Sequence, residues 1–457
     1  MRFSRIRFSG EEYILMGPTP DSITSDTTLP AKTDVVVIGG GIIGTSAALE
    51  LAERGIAVVL CEKGKVAAEQ SSRNWGWVRK MGRDPRELPL IIESLRLFEG
   101  LNARTGAETG FRKSGILYTC EDEAEIARQE TWLEHARPYQ LDTRMLSAAE
   151  TANLLPGFKT RLAGGLYTAS DGRAEPQKAA PAIARAAQAK GAVVIENCAV
   201  RGIERAGGRV SSVITERGRI DCSGVVLAGG AWSNLFCGNL GIDLPQLKVM
   251  NSVLRTEPLT GLPETNTWSA KYAFRKRLDG GYTVADGEAN DVEIVPNAFR
   301  YFTKFMPAMR SQWKALRLHL SGQFLNEWNT PRQWKLDDVT PFEKLRILDP
   351  VPNQKATEGA LKHLIAAHPG FAAAKVAQHW AGMIDVTPDA VPVISPVESL
   401  PGFIIATGFS GHGFGIGPAA GKLAADLVSN ARPVVDPTPF RLGRFFDGSK
   451  IELIGGI

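Results

Sequence analysis

The feature that most narrows the folds open to this chain is the turn Gly39-Gly40-Gly41-Ile42-Ile43-Gly44, set between a buried strand and a helix. Residues 33–38 (TDVVVI) are β-branched and do not alternate with polar residues, the pattern of a strand covered on both faces. Residues 42–54 read as a helix, with Ile43, Ala47 and Leu51 on one row and Gly55 where a left-handed cap is wanted. Residues 56–61 (IAVVLC) follow as a second buried strand ending at Glu62, which closes a β-α-β unit in 30 residues. Each glycine has a task in such a unit. Gly39 permits the tight turn, Gly41 lets the backbone approach a pyrophosphate, and Gly44 allows close packing of helix on strand. The N–H groups and positive end of the helix starting near Ile42 receive the phosphates. Glu62 stands 18 residues after Gly44, placed to accept hydrogen bonds from ribose hydroxyls and to repel an extra ribose phosphate.

Later segments repeat the architecture. Pro176 opens a helix that runs to about Lys190 and stops at Gly191, and residues 192–196 (AVVIE) form a strand. Residues 224–228 (GVVLA) lead into Gly229-Gly230. Residues 403–406 (FIIA) precede a glycine run over 407–417 and a helix from Pro418 to about Val428. The predicted fold class is α/β: a Rossmann-like nucleotide domain interleaved with an α+β substrate domain on a mixed or antiparallel sheet. The nucleotide domain takes residues 33–80, 166–238 and 375–435; the substrate domain takes 81–165 and 239–374, with a helical insertion at about 300–355. Residues 1–32 form an extended or loosely attached arm and 436–457 a tail. Three separated glycine loops suit FAD, a long cofactor whose backbone several loops must approach closely; a site for NAD alone would not need the C-terminal run.

Composition removes other classes. A net charge of +4 over 457 residues, with no dense Lys/Arg run, gives no reason to expect nucleic acid. Five scattered cysteines without a CxxC pair or a Cys/His cluster predict neither a disulfide scaffold nor a metal site, and fit a reducing, cytoplasmic setting. The N-terminus lacks an apolar signal core. The one long apolar stretch, residues 35–52, holds four glycines and Glu50, so it reads as strand-turn-helix and not as a membrane span.

With those residues in view, the chain resembles the D-amino-acid-oxidase-like superfamily of FAD enzymes, which includes glycine and sarcosine oxidases. The passages are DVVVIGGGIIGTSAALELAERG, SSRNWGWVR, VVLAGGAWS, WAGMIDVTPDAVPVI and TGFSGHGFGIGPAAG, spread over residues 33–435. SSRNWGWVRKMGRDPRELPL and the 300–355 insertion look most like the L-amino-acid oxidase and deaminase branch. Deaminases of that type begin with a membrane-anchoring helix; its lack here predicts a soluble enzyme. The resemblance implies that Ser71, Ser72, Arg73 and Asn74 line the flavin side of the pyrophosphate. Val200 meets adenine through its backbone, Gly230 and Trp232 close over the adenosine half, and Gly411, His412, Gly413, Phe414, Gly415 and Ile416 meet the pyrimidine edge. Lys63, Trp75, Ala228 and Gly382 complete the predicted cofactor contacts. Relatives that attach flavin covalently use a cysteine in the last region; Phe409-Ser410-Gly411-His412 has none, so noncovalent FAD is predicted.

The implied reaction moves a hydride from the α-carbon of an amino acid, in first place the L-enantiomer, to flavin N5; water then hydrolyses the imino acid to a 2-oxo acid and ammonia. The cofactor carries that chemistry, and the protein must bind and aim the substrate. A carboxylate calls for arginine. Arg275, before the Leu278-Asp279-Gly280-Gly281 turn, is the first candidate and Arg277 the second; the alternative is a solvated basic hairpin end. Trp75 and Trp77 are either pocket walls or core, and Lys80 and Met81 are nearby candidates. His412, between two glycines, is expected over the flavin. Val386 is expected to face the substrate; Asp385 and Asp389 either contact the amine or end turns, and His379-Trp380 give support. The electron acceptor is O2 or another carrier, and a homo-oligomer stays open. Two other readings stand: oxidation of D-amino acids or of secondary amines of the sarcosine and glycine type, and a non-catalytic flavin-binding subunit.

Overall fold

The run after Thr33 becomes the strand Val35–Ile38, at the middle of a six-stranded sheet. The computed structural model describes residues 4–8, 11–15 and 17–455, the first two stretches as backbone only. Across the sheet the order is Val193–Ile195, Val58–Cys61, Val35–Ile38, Gly224–Leu227, Phe403–Thr407 and Val393–Pro396. The first five strands are parallel and the last is antiparallel. Val35, Val37, Leu60, Val226 and Ile404 enter a core beneath the helices Ile42–Glu53, Leu88–Thr105, Pro176–Ala189 and Gly413–Val428. Val36, Val59, Val225, Phe403 and Ile405 point the other way, into a second core roofed by the antiparallel strands Val200–Ala206, Arg209–Thr215 and Gly218–Asp221. Both faces are covered, which is why these strands carry no polar alternation.

The open edge at Val193–Ile195 is protected by the incoming chain. The Asp26 N–H donates to Val194 O at 2.9 Å, and Asp26 Oδ2 accepts the Val194 N–H at 2.7 Å. Pairing an edge in this way removes a template for association. Residues 17–32 are thus tied down, not loosely attached, and the arm begins as a hairpin of Ser4–Phe8 with Glu11–Leu15.

The second sheet has ten strands and mixed directions. Its centre is Leu247–Thr256, flanked by Tyr282–Ala285 and Val376–Val386. One face packs Leu254, Phe274, Tyr282 and Val284 on Leu361 and Leu364 of the helix Gln354–Ala367. The opposite face turns Val253, Ala285 and Trp380 toward Trp75 and the nucleotide sheet. The α/β architecture with a mixed second sheet is as expected. Details differ. Val376–Val386, read as part of the nucleotide segment, pairs with the large sheet. The 300–355 stretch is not wholly helical, since Leu316–His319 joins that sheet through Asn290–Glu293. The C-terminal helix starts at Gly413, with Pro418 inside its second turn. Among the described residues no helix is long and apolar enough to cross a membrane.

Candidate active site

A cleft of about 1230 Å3, counting its open mouth, lies along the C-terminal ends of the parallel strands and under the large sheet. The glycine turn forms its floor through Gly39, Gly41, Ile42 and Ile43. Gly39 has φ +106°, and a Cβ there would meet Ala228 O at 2.4 Å. A Cβ on Gly44 would lie 1.9 Å from Gly39 O, so only glycine lets helix and turn meet. Gly44 therefore stands behind the floor and not on it. The Ile42 N–H donates to Ser71 Oγ at 2.9 Å, which ties the helix start to the Ser71–Asn74 stretch.

Glu62 is fixed by two backbone donors: Oε2 accepts from Gly40 N–H and Oε1 from Gly64 N–H, each at 2.7 Å. Withdrawal from water raises its pKa, against the pull of Lys63 and these donors. Each oxygen keeps a further lone pair, and the residue lines the cleft. Lys63 Nζ pairs with Glu69 at 2.7 Å and lies 4.4 Å from the centroid of the Trp232 ring. Trp232 Nε1 donates to the same Glu69 at 3.1 Å. The adenosine side thus has a rigid rim, to which Val200, Ala228 and Gly230 add walls. Phe342, Arg346 and Ile347 also line it. The sequence reading missed these three, because they arrive from an insertion with no local nucleotide signal.

At the other end Ser71, Asn74, Gly411, Gly413 and Phe414 line the cleft, joined by Gln70, Met383, Asp385 and Phe409, which were not foreseen as cofactor contacts. Asp385 orders the glycine loop: its carboxylate accepts from Gly408 N–H at 2.6 Å and Thr407 Oγ1 at 3.1 Å, and its carbonyl from Ser410 N–H at 2.8 Å. Burial raises its pKa, opposed by these donors. It holds a turn, one of its two predicted roles. Asp389 is gripped by Arg444 at 2.9 and 3.1 Å and serves packing. His412 is buried with Nδ1 3.0 Å from Glu87 Oε2. Burial lowers its pKa, against the pull of Glu87, so the neutral ring donates from Nδ1. Its backbone carbonyl accepts from Arg83 Nη2 at 3.3 Å. The side chain stands behind the loop instead of on the cleft wall.

Other expectations need correction. Arg275 is 1% exposed and its fork is closed on Glu175, at 2.8 and 3.0 Å, with Nε donating to Trp75 O. That two-pronged grip is the one a substrate carboxylate would need. Arg277 stays within its own hairpin, bonded to Asp279 at 3.1 Å and Thr283 at 3.3 Å. Val386 packs with Val249 and Ile384 against Phe305. Ser72 is buried, its hydroxyl bonded to Glu69 O. Arg73 binds Asp349 at 2.6 Å and Ala381 O at 2.9 Å, clamping the large sheet. Gly382 faces Gln70: a Cβ there would lie 2.1 Å from Oε1. Gly415 abuts Arg83, and Ile416 is core. Lys80 Nζ binds Ser170 Oγ and lies 3.5 Å from Asp142, Met81 is buried, and His379 bonds Thr357. Trp75 donates from Nε1 to Asn251 at 3.2 Å and meets Trp77 edge-on at 5.2 Å. Neither tryptophan lines the cofactor cleft.

The cleft fits a long dinucleotide in three independent ways. The glycine turn faces it, the Glu62 carboxylate is held at one end, and Gln70, at the opposite end, has its Oε1 buried without a hydrogen-bond partner. Together with the glycine loop at its far end, this defines a flavin-dependent oxidoreductase of the two-sheet kind. The chain matches the family DAO, FAD dependent oxidoreductase, over residues 34–427, and belongs to it. Among solved structures, L-amino acid deaminase from Proteus myxofaciens superimposes with TM-score 0.90 at 35% identity, covering 97% of this chain and 98% of that one. The Proteus vulgaris deaminase gives 0.89 at 32%, covering 93% and 100%. Among curated relatives, glycine oxidase of Pseudomonas aeruginosa is 26% identical over 89% of this chain and 97% of its own length. Sarcosine dehydrogenase of Mus musculus is also 26% identical over 91% of this chain, which spans only 42% of that protein.

Proposed function

We propose that the chain oxidises the α-amine of an L-amino acid to the imino acid, which water hydrolyses to a 2-oxo acid and ammonia, on noncovalently held FAD. The observation that carries the reading is the likeness to L-amino acid deaminase across 97% of the chain.

The flavin, when bound, supplies the two-electron acceptor. The amides of Gly41 and Ile43 would take the pyrophosphate, and Glu62 would take the ribose hydroxyls. Val200 and Trp232 enclose the adenosine half; Gly411, Gly413 and Phe414 meet the flavin. The stretch 409–412 offers no thiol for covalent attachment. Asp385 fixes the approach of this loop, and Glu87 holds the ring of His412 behind it. The large sheet is the roof that excludes water over the reacting carbon. The five cysteines, all free and buried, suit a reducing cytoplasm.

A second reading, oxidation of glycine or N-methyl amines, is favoured by the glycine oxidase and sarcosine dehydrogenase relatives. Anaerobic mixing of the holoenzyme with L- and D-amino acids, glycine and sarcosine decides between them. Bleaching by L-amino acids is expected; bleaching by sarcosine or glycine alone would replace this reading with the second. Peroxide formed on admitting air then identifies O2 as the acceptor, and its absence another carrier.

A further inference from the structure

Trp77 and Arg173 lie directly opposite each other in the antiparallel strands Trp77–Val78 and Gly172–Arg173, so their side chains rise from one face. They are 8% and 9% exposed. Neither is satisfied. Trp77 Nε1 and both Nε and Nη1 of Arg173 are shut off from solvent with no hydrogen-bond partner among the described residues. The other deeply buried arginines all have carboxylates: Arg73 with Asp349, Arg83 with Glu87, Arg275 with Glu175, Arg444 with Asp389. Arg173 has none within ion-pair distance among the described residues.

The surroundings leave the charge uncompensated. Glu175, the nearest buried acid, is closed on Arg275, and Glu264 is paired with Lys276. Glu175 thus serves Arg275 and leaves Arg173 without a carboxylate of its own. Burial, and then Arg275, hold the Arg173 pKa below the ordinary arginine range. A buried guanidinium without partners is costly unless something binds it. The place is also suited to function. Trp77 meets Trp75 edge-on, and Trp75 follows Asn74, which lines the cofactor cleft.

We infer that Arg173 and the indole N–H of Trp77 form a carboxylate site, and that it takes the α-carboxylate of the substrate. This rests on the amino-acid reading above. A carboxylate brings acceptors only and the opposite charge, one oxygen toward the guanidinium and one toward the indole. The role that the sequence offered to Arg275 passes to a neighbour whose donors are buried but unpaired.

The test uses the FAD-loaded enzyme and benzoate as a carboxylate that cannot be oxidised, titrated by flavin absorbance and tryptophan fluorescence. Arg173→Gln should raise the benzoate Kd and the amino-acid KM by roughly 10–100-fold, the scale of one charge-assisted contact. FAD content should not change, and the thermal midpoint of the ligand-free protein should rise, because an unpaired buried charge is gone. Arg173→Lys should recover part of the affinity, and Trp77→Phe should weaken it by a smaller factor. Unchanged Kd and KM in Arg173→Gln, or a fall in its thermal midpoint with unchanged Kd, overturns the assignment. So does loss of FAD with carboxylate affinity intact, which would give these donors to the cofactor. If Arg173→Gln does not fold, wild-type Kd in both Arg173→Lys and Trp77→Phe overturns it equally. Benzoate binding that depends on Arg173 in an enzyme no amino acid reduces would sink the proposed reaction and leave the carboxylate site standing.

Discussion

At the scale of single residues, the glycine turn and the Arg275–Glu175 pair make opposite demands. Gly44 has no room for a methyl group, so Gly44→Ala must push the helix off Gly39. A loss of about 1–3 kcal/mol is expected in urea unfolding, with FAD content falling in parallel. Glu175 sits between burial, which would raise its pKa, and Arg275, which outweighs it and brings the carboxyl to about 2. A depressed folded-state pKa means stability that is full above the unfolded value of about 4.3 and lost as pH falls toward 2. Glu175→Gln should therefore flatten the acid side of the stability curve over that window. It should also cost about 3–5 kcal/mol at neutral pH, since Arg275 is left unpaired; an unchanged acid limb would refute this. Gly44 and Glu62 were legible in the sequence because their tasks are set by neighbours within one β-α-β unit. The fate of Arg275 was not. Its partner lies 100 residues away, and a chain of letters does not say which acid reaches a buried cation first.

Elements show the same division between local and distant causes. The buried strands declared themselves through unbroken β-branched runs, and the helix at Pro176 through its first residue and Gly191. The helix at Gly413 was placed five residues late, because glycine is a poor helix former and its small residues are there to let other parts come close. Val376–Val386 could be recognised as a strand, but its sheet depends on pairing with Leu247–Thr256. The arm is the clearest element-level test. Asp26 serves Val194 N–H and Gln188 Nε2 at 2.7 and 2.9 Å. Asp26→Ala should cost about 1–3 kcal/mol, and hydrogen exchange at the Val194 amide should quicken more than at Val36, deep in the sheet. Equal protection at both would mean that the arm does not secure the edge.

On the scale of the whole molecule, the cofactor cleft is a meeting place of segments and not a property of any one. The floor comes from residues 39–43, a wall from 200 and 228–232, the far end from 411–414, and part of the rim from 342–347. The first three were readable as glycine motifs; the rim was not, since nothing in residues 342–347 marks them until the fold brings them in. A ligand that bridges so many segments must stabilise them jointly. FAD at 100 times its Kd should add about 2.7 kcal/mol to unfolding, and a thermal midpoint independent of FAD concentration would contradict a shared site. The strand order has a further consequence for biogenesis. Phe403–Thr407 is hydrogen-bonded to Gly224–Leu227 inside the parallel sheet, nine-tenths of the way along the chain. During synthesis the early β-α-β unit therefore leaves the ribosome with its neighbours unmade, and the sheet closes only after residues 403–407 have been made. Nascent chains stalled before residue 403 should retain no FAD and should lean on chaperones, whereas emergence of the strand Phe403–Thr407 and the helix Gly413–Val428 should bring folding and cofactor capture together.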